Sequence, residues 1–335
     1  MFWRGRKTLV TGGAGFIGSH LCDRLIELGA RVRIVDNLER GRLDNLRRCL
    51  ADAEFRQQDL RDQAVAHAAC DGIEVVFHLA SKVGGIGYYL SRPGEVLATN
   101  LLLDALVLDA ALAAGVGRYV YASSGFVYPA ELQQQPDAPA LKEEDALPAK
   151  PAITYGWAKL MGEMALEAVA GEGHLRGASL RLVGAFGPRQ DTDLDRGSAI
   201  PVFIRRAVEY PERRPFVVKG TGRETRSFCY ISDFIDAFVL AAERLGDGPL
   251  PPLNVGSEGR LSIGALAGEV IAVSGKDIPV EYAPATTAIW GQAVDCTRAR
   301  NSLGWEPRVT LREGLARSYA YIEESLKEGR GVLPG

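Results

Sequence analysis

The chain has little with which to build a metal centre or a disulfide framework. Its four histidines are scattered, and its five cysteines (Cys22, Cys49, Cys70, Cys229 and Cys296) are odd in number and show no CxxC spacing. Free, mostly buried thiols in a reducing compartment are the reading this supports, with no metal expected. Charge of one sign is missing too. The formal net charge is −3 and no stretch concentrates Lys and Arg, so no nucleic-acid partner is expected. No apolar run approaches membrane-spanning length. The basic start (Arg4, Arg6, Lys7) leads straight into a strand and lacks the apolar core and cleavage site of a secretion signal. Together these absences predict a cytoplasmic protein that partners neither nucleic acid nor membrane. What remains is ordinary globular composition, with 335 residues, 47% hydrophobic and 24% charged. That length predicts one large domain with a smaller appendage, or two domains.

The first half alternates short apolar, β-branched runs with longer amphipathic stretches, which is the pattern of βαβ units around a parallel sheet. Strands are predicted at Lys7–Thr11, Arg31–Asp36, Glu54–Gln57, Val75–His78, Tyr119–Ala122 and Ser179–Val183. Helices are predicted over Phe16–Leu28, stopped by Gly29, over Pro93–Ala114 and over Tyr155–Ala170. After Gly187-Pro188 the texture changes to charged loops, prolines and short strands, as in a cap laid over the first domain. Phe228–Leu245 reads as a strand and helix returning to the sheet. The segment Pro136–Pro151, rich in Pro, Ala and acids, is the expected exposed loop.

The first strand runs into Thr11-Gly12-Gly13-Ala14-Gly15-Phe16-Ile17-Gly18 at the start of a helix. In this GxxGxxG spacing Gly12 permits the tight turn, Gly15 lets the backbone approach a pyrophosphate, and Gly18 allows the helix to pack on the strand. The helix N-terminus, at Phe16 and Ile17, offers free N–H groups to the anion. Glycines also mark ordinary turns, but the strand before and the helix after make this a dinucleotide site. Asp36 ends the next strand, eighteen residues beyond Gly18. A carboxylate there accepts both adenosine ribose hydroxyls and repels a 2′-phosphate, so NAD is expected rather than NADP. Asn37 lies beside it, Arg40 is the one residue placed to soften that preference, and Asp59-Leu60 suit the adenine.

Tyr155-Gly156-Trp157-Ala158-Lys159 sets a phenol and an ammonium one helical turn apart. Removing hydride from a carbinol requires its hydroxyl proton to leave as well, and tyrosine is a poor base near neutrality. A neighbouring Lys159 cation, helped by a positive nicotinamide, is expected to lower the phenol pKa. YxxxK alone is common. Ser123-Ser124 at the carboxyl end of the fifth strand supplies the rest, with Ser124 expected to hold the reacting oxygen against Tyr155.

Taken in order, Gly12/Gly15/Gly18, Asp36, Ser124, Tyr155 and Lys159 resemble the extended short-chain dehydrogenases/reductases that act on nucleotide sugars. The resemblance extends over nearly the whole chain. Phe77-His78-Leu79-Ala80 resembles the segment beside the nicotinamide ribose, and Asn100 the structural asparagine of the following helix. Arg226-Ser227-Phe228-Cys229-Tyr230-Ile231-Ser232-Asp233 is similar to the RxFxxxxD segment, whose arginine contacts substrate diphosphate. Asn254-Val255-Gly256 and Leu303-Gly304-Trp305-Glu306-Pro307 resemble C-terminal signatures. Lys82-Val83-Gly84-Gly85-Ile86-Gly87 and Tyr128-Pro129 look like GDP-fucose synthases and GDP-mannose 3,5-epimerases, which place a double-glycine loop (Gly84, Gly85) under the sugar. Lys82 is then a cofactor contact. The implied fold is a Rossmann-like, doubly wound parallel sheet with a smaller C-terminal α/β substrate domain. The division is 1–184 plus 228–256 for NAD and 185–227 plus 257–335 for the nucleotide sugar. The implied assembly is a homodimer joined through the helices near Pro93 and Tyr155, with Leu101, Leu102, Leu106, Leu108 and Leu112 as its apolar surface.

The departures from these relatives bear on the reaction. Where dehydratases carry an acid pair and 3,5-epimerases a cysteine, this chain has Gly125 and Phe126, which transfer no proton. The loop between Gln190 and Ala199 offers Asp191, Asp193, Asp195 and Arg196, which also read as a solvated turn. Gly184 replaces an asparagine, and Gln292 an arginine that often meets the diphosphate. Arg226 and Arg298 remain as its cations. Ser124, Tyr155, Lys159 and NAD suffice for inversion at C4 of a nucleotide-diphosphate sugar, with Phe126 as apolar wall. The same parts also serve 4-keto reduction, or 3,5-epimerisation with a relocated base. A catalytically idle NAD-binding scaffold is the alternative of another class, though such proteins usually lose Tyr or Lys of the pair.

Overall fold

The computed structural model describes residues 2–329 apart from 196, 214, 247 and 286–288; Arg196 and the last stretch of the assigned sugar domain, 330–335, lie outside the described residues. Six parallel strands come from the first half: β1 (Lys7–Thr11), β2 (Arg31–Asp36), β3 (Glu54–Gln57), β4 (Val75–His78), β5 (Arg118–Ser124) and β6 (Arg176–Leu182). The seventh, Leu253–Val255, pairs with β6, and the spatial order is β3-β2-β1-β4-β5-β6 followed by that strand. Order reverses between β1 and β4, so a crevice opens at their carboxyl ends, where such sheets bind ligands.

Strand alternation decides the faces. Leu9 enters the core under α2 (Gln63–Cys70), α4 (Pro93–Ala113) and α5 (Thr154–Gly171), whereas Val10 faces α1 (Phe16–Glu27) and α7 (Ile231–Arg244). Gly29 ends α1 in a left-handed conformation, at φ +87°. The short helix α3 (Ile86–Ser91) precedes α4.

Three expectations are corrected here. The strand of the 228–245 segment, Cys229–Tyr230, pairs with Ala185–Phe186 in a separate ribbon, and the main sheet is extended by Leu253–Val255. The 21 residues of α4 are long and apolar enough, by length and composition, to cross a membrane. In this fold α4 packs along α2 and α5, with Asn100 and Asp104 buried in it. The Pro136–Pro151 segment is no free loop. Leu141, Glu143 and Ala146 are buried, Asn254 Nδ2 donates to the Leu141 carbonyl at 2.9 Å, and Arg181 donates to the Glu143 carbonyl at 2.7 Å.

The smaller part gathers α6 (Ala199–Val208), α8 (Ile263–Ser274) and α10 (Leu311–Lys327) against one another, with short strands beside them, and α9 (Thr297–Leu303) packs on α7. Asp233 on α7 anchors the 305–309 segment: its carbonyl accepts from Trp305 Nε1 at 2.7 Å and its carboxylate from Val309 N at 3.1 Å.

Candidate active site

The glycines do what their spacing requires. Gly12 has φ +66°, and a Cβ there would stand 2.8 Å from the Ala80 backbone; one at Gly18 would meet the Gly13 Cα at 2.7 Å. The turn therefore lies directly against the end of β4, and the N-terminus of α1 opens into a cavity of about 280 Å³. Gly15, Phe16 and Ile17 form its floor, Asp36, Asn37, Asp59 and Leu60 one end, and Leu79, Ala80 and Lys82 the middle. Tyr155 and Lys159 close the other end.

Asp36 is largely buried. One carboxylate oxygen accepts from Ala14 N at 3.0 Å and the other from Leu38 N at 2.8 Å. Burial pushes its pKa up, against these two N–H bonds. Gly41 lies so close that a Cβ would touch the carboxylate at 2.6 Å. Arg40 is committed elsewhere, donating to the Val83 carbonyl at 2.7 Å and to Asp191 at 2.9 Å. Arg33 pairs with Glu54 at 2.9 Å. No guanidinium of this pair is left to greet a 2′-phosphate. Arg61 and then Asn37 hold Asp59 down at about 2. Asn100 does not line the cavity but props it: its Oδ1 accepts from Ser81 Oγ and Lys82 N, both at 2.7 Å. Lys82 is ion-paired with Glu39 and with Glu95.

Tyr155 stands at the N-terminal end of α5, brought close because Gly156 packs on the 125–127 turn; a Cβ there would lie 2.7 Å from the Phe126 carbonyl carbon. Tyr89, which the sequence reading missed, stacks on Tyr155, and the Phe126 ring meets it edge-on at 6.1 Å. Lys159 Nζ is buried without a hydrogen-bond partner among the described residues and sits 5.9 Å from the Tyr155 ring centre. The expected lowering of the phenol is not what the fold alone produces. Burial, then Tyr89, pushes the Tyr155 pKa well above its ordinary value, against a hydrogen bond shared with Ser81. The reason is dielectric: the phenol is sealed between rings, and Lys159 faces the Tyr121 ring, 4.5 Å away. An orphaned buried ammonium beside a buried phenol, at the end of a glycine-floored cavity, fits a dinucleotide whose reactive end lies over Tyr155.

The substrate-side residues are more dispersed. Ser123 lines the cavity, its hydroxyl donating to Glu163; Ser124 caps the next turn, its Oγ accepting from Phe126 N at 3.2 Å. Gly84 lies under Tyr88, with room for no Cβ, and Gly85 caps α3. A Cβ at Gly125 would strike Val183 at 2.6 Å. Gln292 binds the Gly125 carbonyl at 3.3 Å and Gln133 at 3.0 Å. Gly184 is left-handed, and a Cβ there would stand 3.1 Å from the Phe228 Cα, so a larger residue has no room. Arg226 donates to the carbonyls of Thr225 and Ile289. Arg298 is taken up by Glu144 at 3.1 Å and Glu143 at 3.6 Å, and it does not line the cavity.

Residues 8–256 match the NAD dependent epimerase/dehydratase family. The chain belongs to that family. It is an extended short-chain dehydrogenase/reductase, and its cofactor is NAD. It is similar to GDP-mannose 3,5-epimerase 1 of Oryza sativa subsp. japonica, at 29% identity over 98% of this chain and 85% of that protein. UDP-glucose 4-epimerase of Mycolicibacterium smegmatis is 31% identical over 94% of this chain and 98% of that protein. Among solved structures, UDP-glucose 4-epimerase of Thermotoga maritima with UDP-glucose superposes with a TM-score of 0.86 at 30% identity, covering 96% of this chain and 99% of that one. Family members act as NAD-dependent nucleotide-sugar epimerases or dehydratases, and this chain is an enzyme of that class.

Proposed function

We propose that the enzyme inverts C4 of a nucleotide-diphosphate sugar. The observation carrying this reading is the wall around Tyr155. Positions 125 and 126 are Gly and Phe, and the ring stacked on Tyr155 is Tyr89, which burial holds neutral at about 12. None of these exchanges a proton with a sugar carbon near neutrality. Lys82 and Asp191, candidates for a relocated base, are paired with acids and with Arg40 respectively.

Bound NAD supplies hydride acceptance and return at C4. The protein's part is the proton: Tyr155 takes it from the C4 hydroxyl and returns it to O4 once the sugar has turned its other face, and the buried Lys159 cation favours the phenolate that burial alone opposes. Ser124 is assigned to orient the reacting oxygen, and Arg226 and Arg298 to meet the diphosphate after shedding their present partners. Residues 1–184 with 228–256 are assigned to NAD and 185–227 with 257–335 to the nucleotide sugar. A homodimer through α4 and α5 completes the proposal, supported by Leu102, Trp157, Met161 and Met164 exposed on those helices.

A second reading, 3,5-epimerisation with the base elsewhere, is favoured by the similarity to GDP-mannose 3,5-epimerase over 98% of the chain. Incubation with UDP- and GDP-hexoses and analysis of the sugar products separates them. A C4 epimer as product supports the first reading, and a 3- or 5-epimer overturns it.

A further inference from the structure

Asp104 lies midway along α4 on the face that packs against α5, with its carboxylate out of water. A carboxylate in such a place persists only if it is hydrogen-bonded and faced by a cation. Both oxygens are used. One pairs with His78 Nε2 at 3.0 Å, and the other accepts from the Tyr121 hydroxyl at 2.5 Å.

The tautomer of His78 follows from its other nitrogen. Thr11 Oγ1 already accepts from Leu79 N and Ala80 N, each at 3.1 Å, so its own hydrogen goes to His78 Nδ1, 2.8 Å away. His78 therefore carries its proton on Nε2 and donates it to Asp104 as a neutral ring, and burial lowers its pKa further from protonation. Both partners of Asp104 are neutral donors, and its negative charge stays whole.

The cation that faces this charge is Lys159. Its Nζ stands 4.5 Å over the ring of Tyr121, whose hydroxyl donates to Asp104. A phenol hydrogen-bonded to a carboxylate has a more electron-rich face, which strengthens its attraction for an ammonium. Glu163, one turn along α5 from Lys159, is spent already: Arg181 grips both its oxygens, with Nη2 at 2.7 Å, and Ser123 donates to it as well. The remaining titratable neighbours, Tyr119 on β5 and Tyr155 on α5, are phenols that burial keeps neutral. Gly162 makes the arrangement possible, since a Cβ there would reach the Tyr121 ring at 2.7 Å and Asp104 at 3.0 Å.

We propose that Asp104 is the positioning residue that keeps Lys159 protonated beside Tyr155, through the hydroxyl and ring of Tyr121, and so sets the alkaline limit of activity. The last clause rests on the assignment of Tyr155 and Lys159 to proton transfer. Burial drives the Lys159 ammonium down, and Asp104 heads the charges that oppose it.

The direct test is the titration of Lys159 itself, by NMR of protein carrying 13Cε-labelled lysine. The chain has eight lysines, and the Lys159→Met spectrum identifies the resonance. Asp104→Asn should move the Lys159 midpoint to lower pH by about one unit or more. Asp104→Thr, whose hydroxyl still accepts from Tyr121 without a charge, should do the same and serves if the first variant does not fold. In turnover assays the alkaline limb of the rate should fall at correspondingly lower pH. A Lys159 resonance that titrates in either folded variant as in the parent overturns the proposal. So does a uniform loss of rate with both limbs in place, the mark of a structural role. The NMR arm needs no substrate. A moved resonance without any nucleotide-sugar turnover sinks the assigned reaction alone, and an unmoved one with normal epimerisation sinks only the role of Asp104.

Discussion

Tyr89 lies face to face with Tyr155, ring centres 4.8 Å apart and planes 16° from parallel. The stack seals the phenol from water on the side toward α3, which is why burial dominates its ionisation. Tyr155→Phe keeps the stack and loses the transferable proton. It should reduce kcat by ~10²–10⁴-fold while leaving the Kd for NAD nearly unchanged. Tyr89→Phe should be close to the parent, and Tyr89→Ala well below it, in steady-state assays. Near-normal turnover of Tyr155→Phe would mean that another group moves the proton.

The cofactor preference is open to a binding measurement. With Asp36 at the ribose end and Arg40 tied to Val83 and Asp191, the purified protein should bind NAD far more tightly than NADP. Asp36→Ala should narrow the gap. Comparable dissociation constants in the parent protein would remove the role given to Asp36.

Inversion at C4 moves a hydride, whereas inversion at C3 or C5 of a 4-keto sugar exchanges a carbon-bound proton. Turnover in heavy water should therefore leave every product carbon unlabelled, read by mass spectrometry and NMR. Deuterium at C3 or C5 would end the C4 assignment and direct substitution to Lys82, Asp191, Asp193 and Asp195.

Leu102 on α4 and Trp157, Met161 and Met164 on α5 are exposed large apolar side chains on two helices packed side by side. Leu101, Leu106 and Leu112 are half-buried there, but Leu108, expected on that surface, is buried in the core under the sheet. The protein should run as a dimer in light scattering at micromolar concentration, and Leu102→Glu with Met161→Glu should give a folded monomer. A monomeric parent protein would contradict this.

His20 gives the fold an acid-sensitive joint. Burial first and Arg189 second push its pKa from 6.5 to about 4, against its bond to the Pro188 carbonyl at 3.1 Å. The folded state prefers the neutral ring, so its contribution is present above pH about 6.5 and is lost as pH falls toward 4. His20→Gln should flatten the fall of melting temperature across that window. An identical slope in both proteins would show that other groups carry the acid sensitivity.

Local signals in the chain sufficed for much of this molecule. The pattern of β1, β2 and β4 marks their ends, because each is a largely apolar run, and a backbone period is written residue by residue. Gly12, Gly15 and Gly18 declare a phosphate turn by their spacing, and a side chain at Gly12 or Gly18 has no room. Tyr155 and Lys159 announce themselves by helical spacing. None of this locality reaches the charge beneath them. Asp104 meets His78 and Tyr121, and Tyr121 meets Lys159, only because the sheet order sets β4 beside β5 and lays α4 and α5 across them. Tyr89 finds Tyr155 from the short helix α3, more than sixty residues earlier. The Pro136–Pro151 segment looked exposed by composition, yet Arg181 and Asn254 supply its buried carbonyls with donors from β6 and the seventh strand. Composition and spacing record what the backbone needs nearby. Which buried charge faces which cation was decided only when tertiary packing excluded water and left each group to the partner beside it.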